Sequence, residues 1–282
     1  MNWSIVQVPD LSDQQFSEWK KLLEERVGIR VGESQKQFLQ SQVAMRMREV
    51  GEKDFSRYMT TLQSGVAGKL EWAVLLDRLV VKETTFFRHQ PSYDYLCLYL
   101  QNKINNRSLS DAFEVWSLGC STGEEAYSLA MLINEMFELA KLEPYFGVTG
   151  SDVSRMAISR ARNAIYSQKK LDFVPAALRY KYFKPIDKDR YKLDHDVRSK
   201  VCFANDNIMN LDKMPPQKFD VIYCQNLLVY FAQAMRKKIL DAVVEKLKPE
   251  AILILGLGEV TNWKSSKMER LARADVQAYV RV

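Results

Sequence analysis

Leu118-Gly119-Cys120-Ser121-Thr122-Gly123-Glu124-Glu125 sets glycines, hydroxyls and a pair of carboxylates side by side between an apolar run and a helix-like segment. A glycine-rich turn at such a junction lets a ligand approach the backbone closely. The stretch is not G-x-G-x-x-G, and no Gly-Lys-Ser/Thr follows it, so neither dinucleotide nor triphosphate loop is spelled out. Glu124 and Glu125 would repel a phosphate at the helix start. They suit a nucleoside ligand that has cationic groups in place of phosphate. S-adenosylmethionine is such a ligand, with an ammonium, a sulfonium and ribose hydroxyls. The competing explanation is that both glutamates merely complement the helix dipole. Asp152, at the end of Val148-Thr149-Gly150-Ser151, stands where nucleoside-binding sheets hold ribose hydroxyls. It could instead cap the next helix, although Ser154 is available for that.

The same letters contain a rival motif. Gly119-Cys120-Ser121-Thr122-Gly123 satisfies the G-x-S-x-G of hydrolases, and Ser121, Asp152 and His195 follow in the order of a triad. Against it, only helix-like sequence precedes the loop, and His195 lies in the polar stretch Leu193-Asp194-His195-Asp196. The four cysteines form no C-x-x-C pair, and Cys120, Cys202 and Cys224 sit in or beside apolar runs as expected of core residues. Neither His89 nor His195 has a second ligand nearby in sequence, so no metal is expected.

The elements that must position this loop fall into two textures. Residues 1–80 are expected to form an all-α domain. Phe16, Trp19, Leu22 and Leu23 recur at helical spacing. A second helix is expected over 34–50, with Phe38, Leu39, Val43 and Met47 on one face and Gly51 ending it. Phe55 to Leu62 and Trp72 to Leu79 suggest two more. Residues 81–112 read as a linker. From Phe113 onward strands and helices alternate: strands at 113–118, 146–150, 219–224 and 251–255, helices at 124–139, 155–165 and 232–247, the last stopped by Lys248-Pro249. This predicts an α/β, doubly wound, mostly parallel Rossmann-like sheet across residues 113–282. A small β insertion is expected at about 166–201, and an antiparallel strand at 276–282.

Glu83-Thr84-Thr85-Phe86-Phe87-Arg88, then Trp116 through Ser128, then Phe219 to Phe231 resemble the CheR-type chemotaxis receptor methyltransferases, which belong to the class I fold. The resemblance covers nearly the whole chain, and Leu76-Asp77-Arg78-Leu79 with the helical front suggests the PilK-like branch of type IV pilus signalling. It implies a cofactor pocket of Thr84, Arg88, Glu125, Asp152, Asn207, Ile208, Asn226 and Leu227, with Tyr230 near the transferred methyl. Departures from the family pattern are Lys82 in place of Asn, Gln225 in place of Arg, and Gly256-Leu257-Gly258-Glu259 in place of Gly-His-Ser-Glu.

The resemblance further implies transfer of a methyl group from S-adenosylmethionine to glutamate carboxylates of a transmembrane chemoreceptor, leaving S-adenosylhomocysteine. An ionised carboxylate needs no general base at neutral pH. Catalysis would then rest on placement and desolvation, for which oriented models allow roughly 7–11 kcal/mol. Arg88 and Tyr230 are expected to orient the acceptor, and Arg46 and Arg48 to dock the acidic receptor helices. Phe86 and Phe87 are expected to pack rather than touch the nucleobase. A net charge of +6 suits an acidic partner, but the basic residues are spread along the chain. Met1 to Val6 lacks the pattern of a signal peptide and no run approaches the ~20 apolar residues of a membrane span, which predicts a cytoplasmic monomer. Two alternatives stand. One is a nucleic-acid methyltransferase, although Asn226-Leu227-Leu228-Val229 is not its Asn/Asp-Pro-Pro-aromatic motif and Met214-Pro215-Pro216-Gln217 reads as a turn. The other is a cofactor-binding signalling module without turnover.

Overall fold

The computed structural model describes residues 10–80, 83–143, 145–214 and 216–282. Lys82, Pro215 and the segment Met1–Val6, each used above, lie outside the described residues. The chain divides into two compact units: residues 10–80 with Tyr230–Ala232, and residues 83–229 with Gln233–Val282.

In the helical unit α1 (Asp13–Val27) starts on a capping box between Ser12 and Gln15 and ends on Gly28 in the left-handed region. A single 3₁₀ turn, Glu33–Gln35, leads into α2 (Lys36–Val50), which Gly51 ends at φ 76°. Asp54 caps α3 (Phe55–Gln63), and α4 (Gly65–Leu79) follows directly. The last two pack closely because Gly68 has no Cβ: one placed there would sit 2.3 Å from the Thr61 carbonyl oxygen. Phe16, Trp19, Leu23, Leu39, Val43, Met47, Tyr58, Leu62 and Leu75 form the interior. Phe38, expected on that face, is 48% exposed; it lies beside the stripe of Leu39, Val43 and Met47 that the packing selects.

In the second unit the segment 81–112 holds a full helix, α5 (Gln90–Asn105), with Pro91 in its first turn. Tyr93, Leu96 and Leu100 bury one face of it in the main core. β1 (Phe113–Leu118), α6 (Glu124–Leu139), β2 (Phe146–Asp152) and α7 (Arg155–Asn163) follow as the apolar pattern predicts. Ala164 turns left-handed at φ 50°, so Ile165 starts a strand instead of extending α7. The insertion comprises β3 (Ile165–Ser167), α8 (Gln168–Leu171), α9 (Ala176–Tyr182), β4 (Phe183–Pro185), β5 (Arg190–Leu193) and α10 (His195–Arg198). Its three strands form a separate antiparallel sheet in the order β3-β5-β4. The chain then returns through β6 (Val201–Asn205), β7 (Phe219–Cys224), α11 (Gln233–Val244), β8 (Leu247–Leu255), β9 (Met268–Arg270) and β10 (Gln277–Arg281).

The main sheet runs β6-β2-β1-β7-β8-β10-β9. The strands from β6 to β8 are mutually parallel, while β10 and β9 pair antiparallel. Two expectations need correction. Lys248-Pro249 lies within β8 and does not stop a helix there; α11 has already ended at Val244. A register irregularity between Phe219 and Val221 takes up the extra residues, and a bulge is where a strand tolerates proline. Cys202 is exposed because β6 is an edge strand with alternate positions in solvent, whereas Cys120 and Cys224 are buried. Among the described residues no helix is long and apolar enough to cross a membrane.

Candidate cofactor and active site

The parallel register aligns the strand ends. Leu118 pairs with Ser151, Asp152 with Asn205, and Cys224 with Leu255, so the segments after β1, β2, β6, β7 and β8 all leave from one edge. Chain order reverses at β1, with β2 on one side and β7 on the other, and open α/β sheets bind ligands outside such a switch point.

The loop after β1 is pinned to β2. The Gly119 and Cys120 amides both donate to the Ser151 carbonyl, at 2.8 and 3.0 Å, and the Ser121 amide donates to Asp152 Oδ2 at 2.9 Å. Gly119 has φ 82°, and a Cβ there would lie 2.9 Å from the Leu227 side chain. Leu227 is thereby laid across the glycine loop, joining two of the expected pocket residues. Gly119→Ala combines that collision with left-handed strain. We expect it to cost about 1–3 kcal/mol in thermal unfolding and to weaken cofactor binding at least tenfold by calorimetry.

Asp152 is not the helix cap. Ser154 Oγ accepts from the Ala157 amide, while Asp152 Oδ1 accepts from the Ser154 amide at 2.8 Å. Two backbone amides thus hold the carboxylate at the sheet edge, where ribose hydroxyls could share it. Glu124 and Glu125 part company. Glu124 is buried, bonded to Thr122 Oγ1 at 2.6 Å and paired with Lys170 Nζ at 3.0 Å, so it ties the insertion to the loop. Lys170 also donates to the Thr84 carbonyl, fixing a third segment. Glu125 turns inward and accepts from Ser117 Oγ at 2.7 Å. Burial pushes its carboxyl up to about 8; the negative charge of Glu259 adds to this, while Ser117 and Arg88 oppose it.

Phe86 is fully buried, edge-on to Tyr166 and Phe183 of the insertion. Phe87 sits at φ 48°, uncommon for so bulky a residue, with its amide donating to Ser128 Oγ at 3.1 Å and its ring against Tyr93. Both are packing residues. They hold Thr84, which is buried, and Arg88, which is exposed and donates through Nη1 to the Glu83 carbonyl at 3.2 Å. Asn207 leads into a 3₁₀ turn beginning at Ile208, its Oδ1 accepting from the Met209 amide at 3.0 Å. Asn226 is exposed at φ 58° directly after β7. Gln225 does not face outward with it. It is buried, donating to Ser92 Oγ at 2.8 Å and to the Leu255 carbonyl at 3.3 Å, so it anchors α5 to the end of β8.

Tyr230 belongs with the helical unit: its carbonyl accepts from the Arg30 amide at 2.8 Å, and Phe231 bridges Ile29. Arg46 lies in an internal network, with two bonds to Glu71 at 2.8 and 2.6 Å and one to Glu49 at 2.9 Å, and with Tyr58 Oη donating to Glu71. Arg48 is exposed. The triad reading fails, since Asp152 is engaged by Ser121 through the backbone and the His195 side chain is 82% exposed.

One residue of this edge went unrecognised in the sequence. Glu259 is 4% exposed, and neither carboxylate oxygen makes a hydrogen bond. Its signal is available, because it lies just beyond a buried strand, much as Asp152 ends β2. Among the described residues this edge therefore carries buried carboxyl groups and no phosphate-binding cation cluster. That fits a cationic nucleoside, with Glu125, Asp152, Thr84, Asn207, Ile208, Asn226 and Leu227 available to hold it. Among the described residues no cluster of His, Cys, Asp or Glu could hold a metal ion.

Comparisons with known proteins agree with this geometry. Residues 82–278 match the family model "CheR methyltransferase, SAM binding domain", and residues 14–80 match "CheR methyltransferase, all-alpha domain". A chemotaxis protein methyltransferase of Borreliella burgdorferi is 26% identical over 254 residues, covering 89% of each chain. One of Escherichia coli is 28% identical, covering 88% of this chain and 85% of the relative. A probable biofilm formation methyltransferase, WspC of Pseudomonas putida, is 27% identical over 96% of this chain and 62% of its own. With the helical unit and the sheet unit each matched by a model of that family, the chain belongs to the CheR methyltransferase family and is an S-adenosylmethionine-dependent methyltransferase.

Proposed function

We propose that this enzyme methylates glutamate side chains on the cytoplasmic helices of a transmembrane chemoreceptor, as a cytoplasmic protein acting in sensory adaptation. The observation that carries this reading is the extent of the match: relatives named chemotaxis protein methyltransferases align through both the helical unit and the cofactor unit. Acceptor chemistry supports it. A glutamate carboxylate is already ionised at neutral pH and asks for no proton removal. His89 contacts Ser92 Oγ and His195 is exposed, so neither has the place of a general base.

S-adenosylmethionine, when bound, supplies the methyl group. Arg88 would orient the acceptor carboxylate by a positioning contact, loose enough to leave the oxygen nucleophilic. The test supplies methyl-labelled cofactor with receptor-containing membranes and scores volatile methanol released by mild base. Release that depends on this protein establishes carboxyl methylation, because amine and nucleobase methyl groups survive base. Cofactor binding without release from any receptor would instead favour a signalling module.

The helical unit would dock the receptor, and its two candidate arginines should behave differently. Arg46→Glu reverses a charge within a largely buried network and leaves Glu71 with no cation, only the Tyr58 hydroxyl. It should cost roughly 3 kcal/mol of stability, so any loss of transfer would follow from unfolding. Arg48→Glu should melt like the wild type, keep its cofactor affinity and transfer several-fold less methyl to receptor. Unchanged transfer in the Arg48 variant would remove that residue from the docking surface.

A further inference from the structure

Glu259 is buried at the same sheet edge as Glu125, and although the Gly256 and Asn226 amides lie toward its carboxylate, neither oxygen makes a hydrogen bond. It follows β8 by way of Gly256-Leu257-Gly258, and this turn folds its side chain back over Gly256. A Cβ on Gly256 would lie 2.6 Å from the Glu259 carboxyl carbon, so glycine is required for the carboxyl to occupy this position. The main chain there is fixed independently. Arg236 Nη1 donates to the Glu259 carbonyl at 2.9 Å, the Gly258 amide to Gln277 Oε1 at 3.1 Å, and the Gly256 amide to the Cys224 carbonyl at 3.2 Å. The carboxylate has the Gly256 and Asn226 amides near it but makes no hydrogen bond through either oxygen. Such a group costs stability unless something else pairs with it.

The charged and titratable groups that face it are Arg88, Arg236, Glu125 and the buried thiol of Cys224. Burial raises the carboxyl to about 7, and the amides of Gly256 and Asn226, with Arg236 and Arg88, offset this only in part. Arg236 is engaged through the Glu259 and Val229 carbonyls. At the edge itself, among the described residues, Glu125, Asp152 and Glu259 therefore stand beside the exposed Arg88. With all three ionised, their charge exceeds that of Arg88 and the balance is negative. S-adenosylmethionine carries a sulfonium and an ammonium against one carboxylate, a balance of one positive charge, while S-adenosylhomocysteine is neutral overall.

We infer that Glu259 is a further anionic residue of the cofactor pocket, beside Glu125 and Asp152, whose carboxylate makes the pocket prefer the cationic cofactor to its neutral product. Loss of the sulfonium on methyl transfer removes the charge that Glu259 faces, and this favours product release. The role is one of selectivity and requires no contact with the acceptor.

Calorimetry on the whole protein tests this with three probes: S-adenosylmethionine, S-adenosylhomocysteine and sinefungin, whose amine replaces the sulfonium with another cation. At pH 8, Glu259→Gln should weaken both cationic ligands about tenfold and the neutral product less than threefold. At pH 6 the gap between variant and wild type should narrow, since Glu259 is then largely protonated without ligand. The ligand-free variant should melt no lower than the wild type, because the substitution removes an unsatisfied charge. Equal loss for all three ligands, no loss for any, or a lower melting temperature would each overturn the assignment. No acceptor is present, so failure of the receptor reading leaves this result untouched. A wild type that bound none of the probes would overturn both the pocket and this inference.

Discussion

Glu125→Gln lowers S-adenosylmethionine affinity by about 100-fold at pH 8, matching the roughly 2–3 kcal/mol of a buried hydrogen bond to a charged group. The glutamine keeps the shape and can still meet Ser117 Oγ, so the loss isolates the charge. The same substitution changes how stability depends on pH. Glu125 has a folded value of about 8 against an ordinary 4.5, so the folded protein holds a proton that the unfolded chain releases. The stability from the neutral form is complete below about 4.5 and is lost as pH rises toward about 8. The wild-type melting temperature should therefore fall across that window, and that of Glu125→Gln should fall less. Binding a cation requires the ionised form, so cofactor binding should release protons and tighten as pH rises from 6 to 8.5. Calorimetry in buffers of different ionisation enthalpy reads that release directly. An affinity independent of pH, with no proton released, would show that Glu125 does not face the cofactor.

Much of this edge was legible in the sequence because its signals are local. The glycine loop, the Glu124-Glu125 pair and Asp152 each lie within a few residues of a strand end, where type and spacing carry the meaning. Partners distant in the chain were not legible. That Glu124 belongs to Lys170 and Glu125 to Ser117 depends on how the insertion and β1 return to the loop. Gln225 resembles a lost pocket donor in sequence, but its amide is used on Ser92, brought close by a helix in what read as a linker. Arg46 looks like a surface cation in one helix and is internal once α3 and α4 supply Tyr58 and Glu71. Glu259 is hard to read in the sequence because its neighbours depart from the family pattern while the acid itself remains. Local rules place strand ends; tertiary contacts decide which side chains at those ends are left free for ligand.

That distinction sets the expectation for Arg88. Phe87 holds a strained backbone through Ser128 and Tyr93, and the residue after it is delivered exposed at the sheet edge. Arg88 is also the cation that both Glu125 and Glu259 feel. An incoming glutamate adds a further carboxylate to this edge, and each like charge opposes its approach by up to a few kcal/mol at the effective dielectric of a protein surface. A guanidinium placed there offsets the repulsion and offers a planar fork that orients two carboxylate oxygens. Arg88→Ala should therefore lower single-turnover methyl transfer at saturating cofactor by about 100- to 1,000-fold, the scale set by misplacing a reactant. Cofactor affinity should change far less, since removing Arg88 also lets the two carboxylates hold their protons more tightly. Arg88→Lys should restore only part of the rate, because a point charge reproduces the offset but not the fork. Complete rescue by lysine would reduce Arg88 to charge compensation. A loss confined to cofactor affinity would make it a cofactor ligand, and full transfer in Arg88→Ala would remove it from the acceptor site.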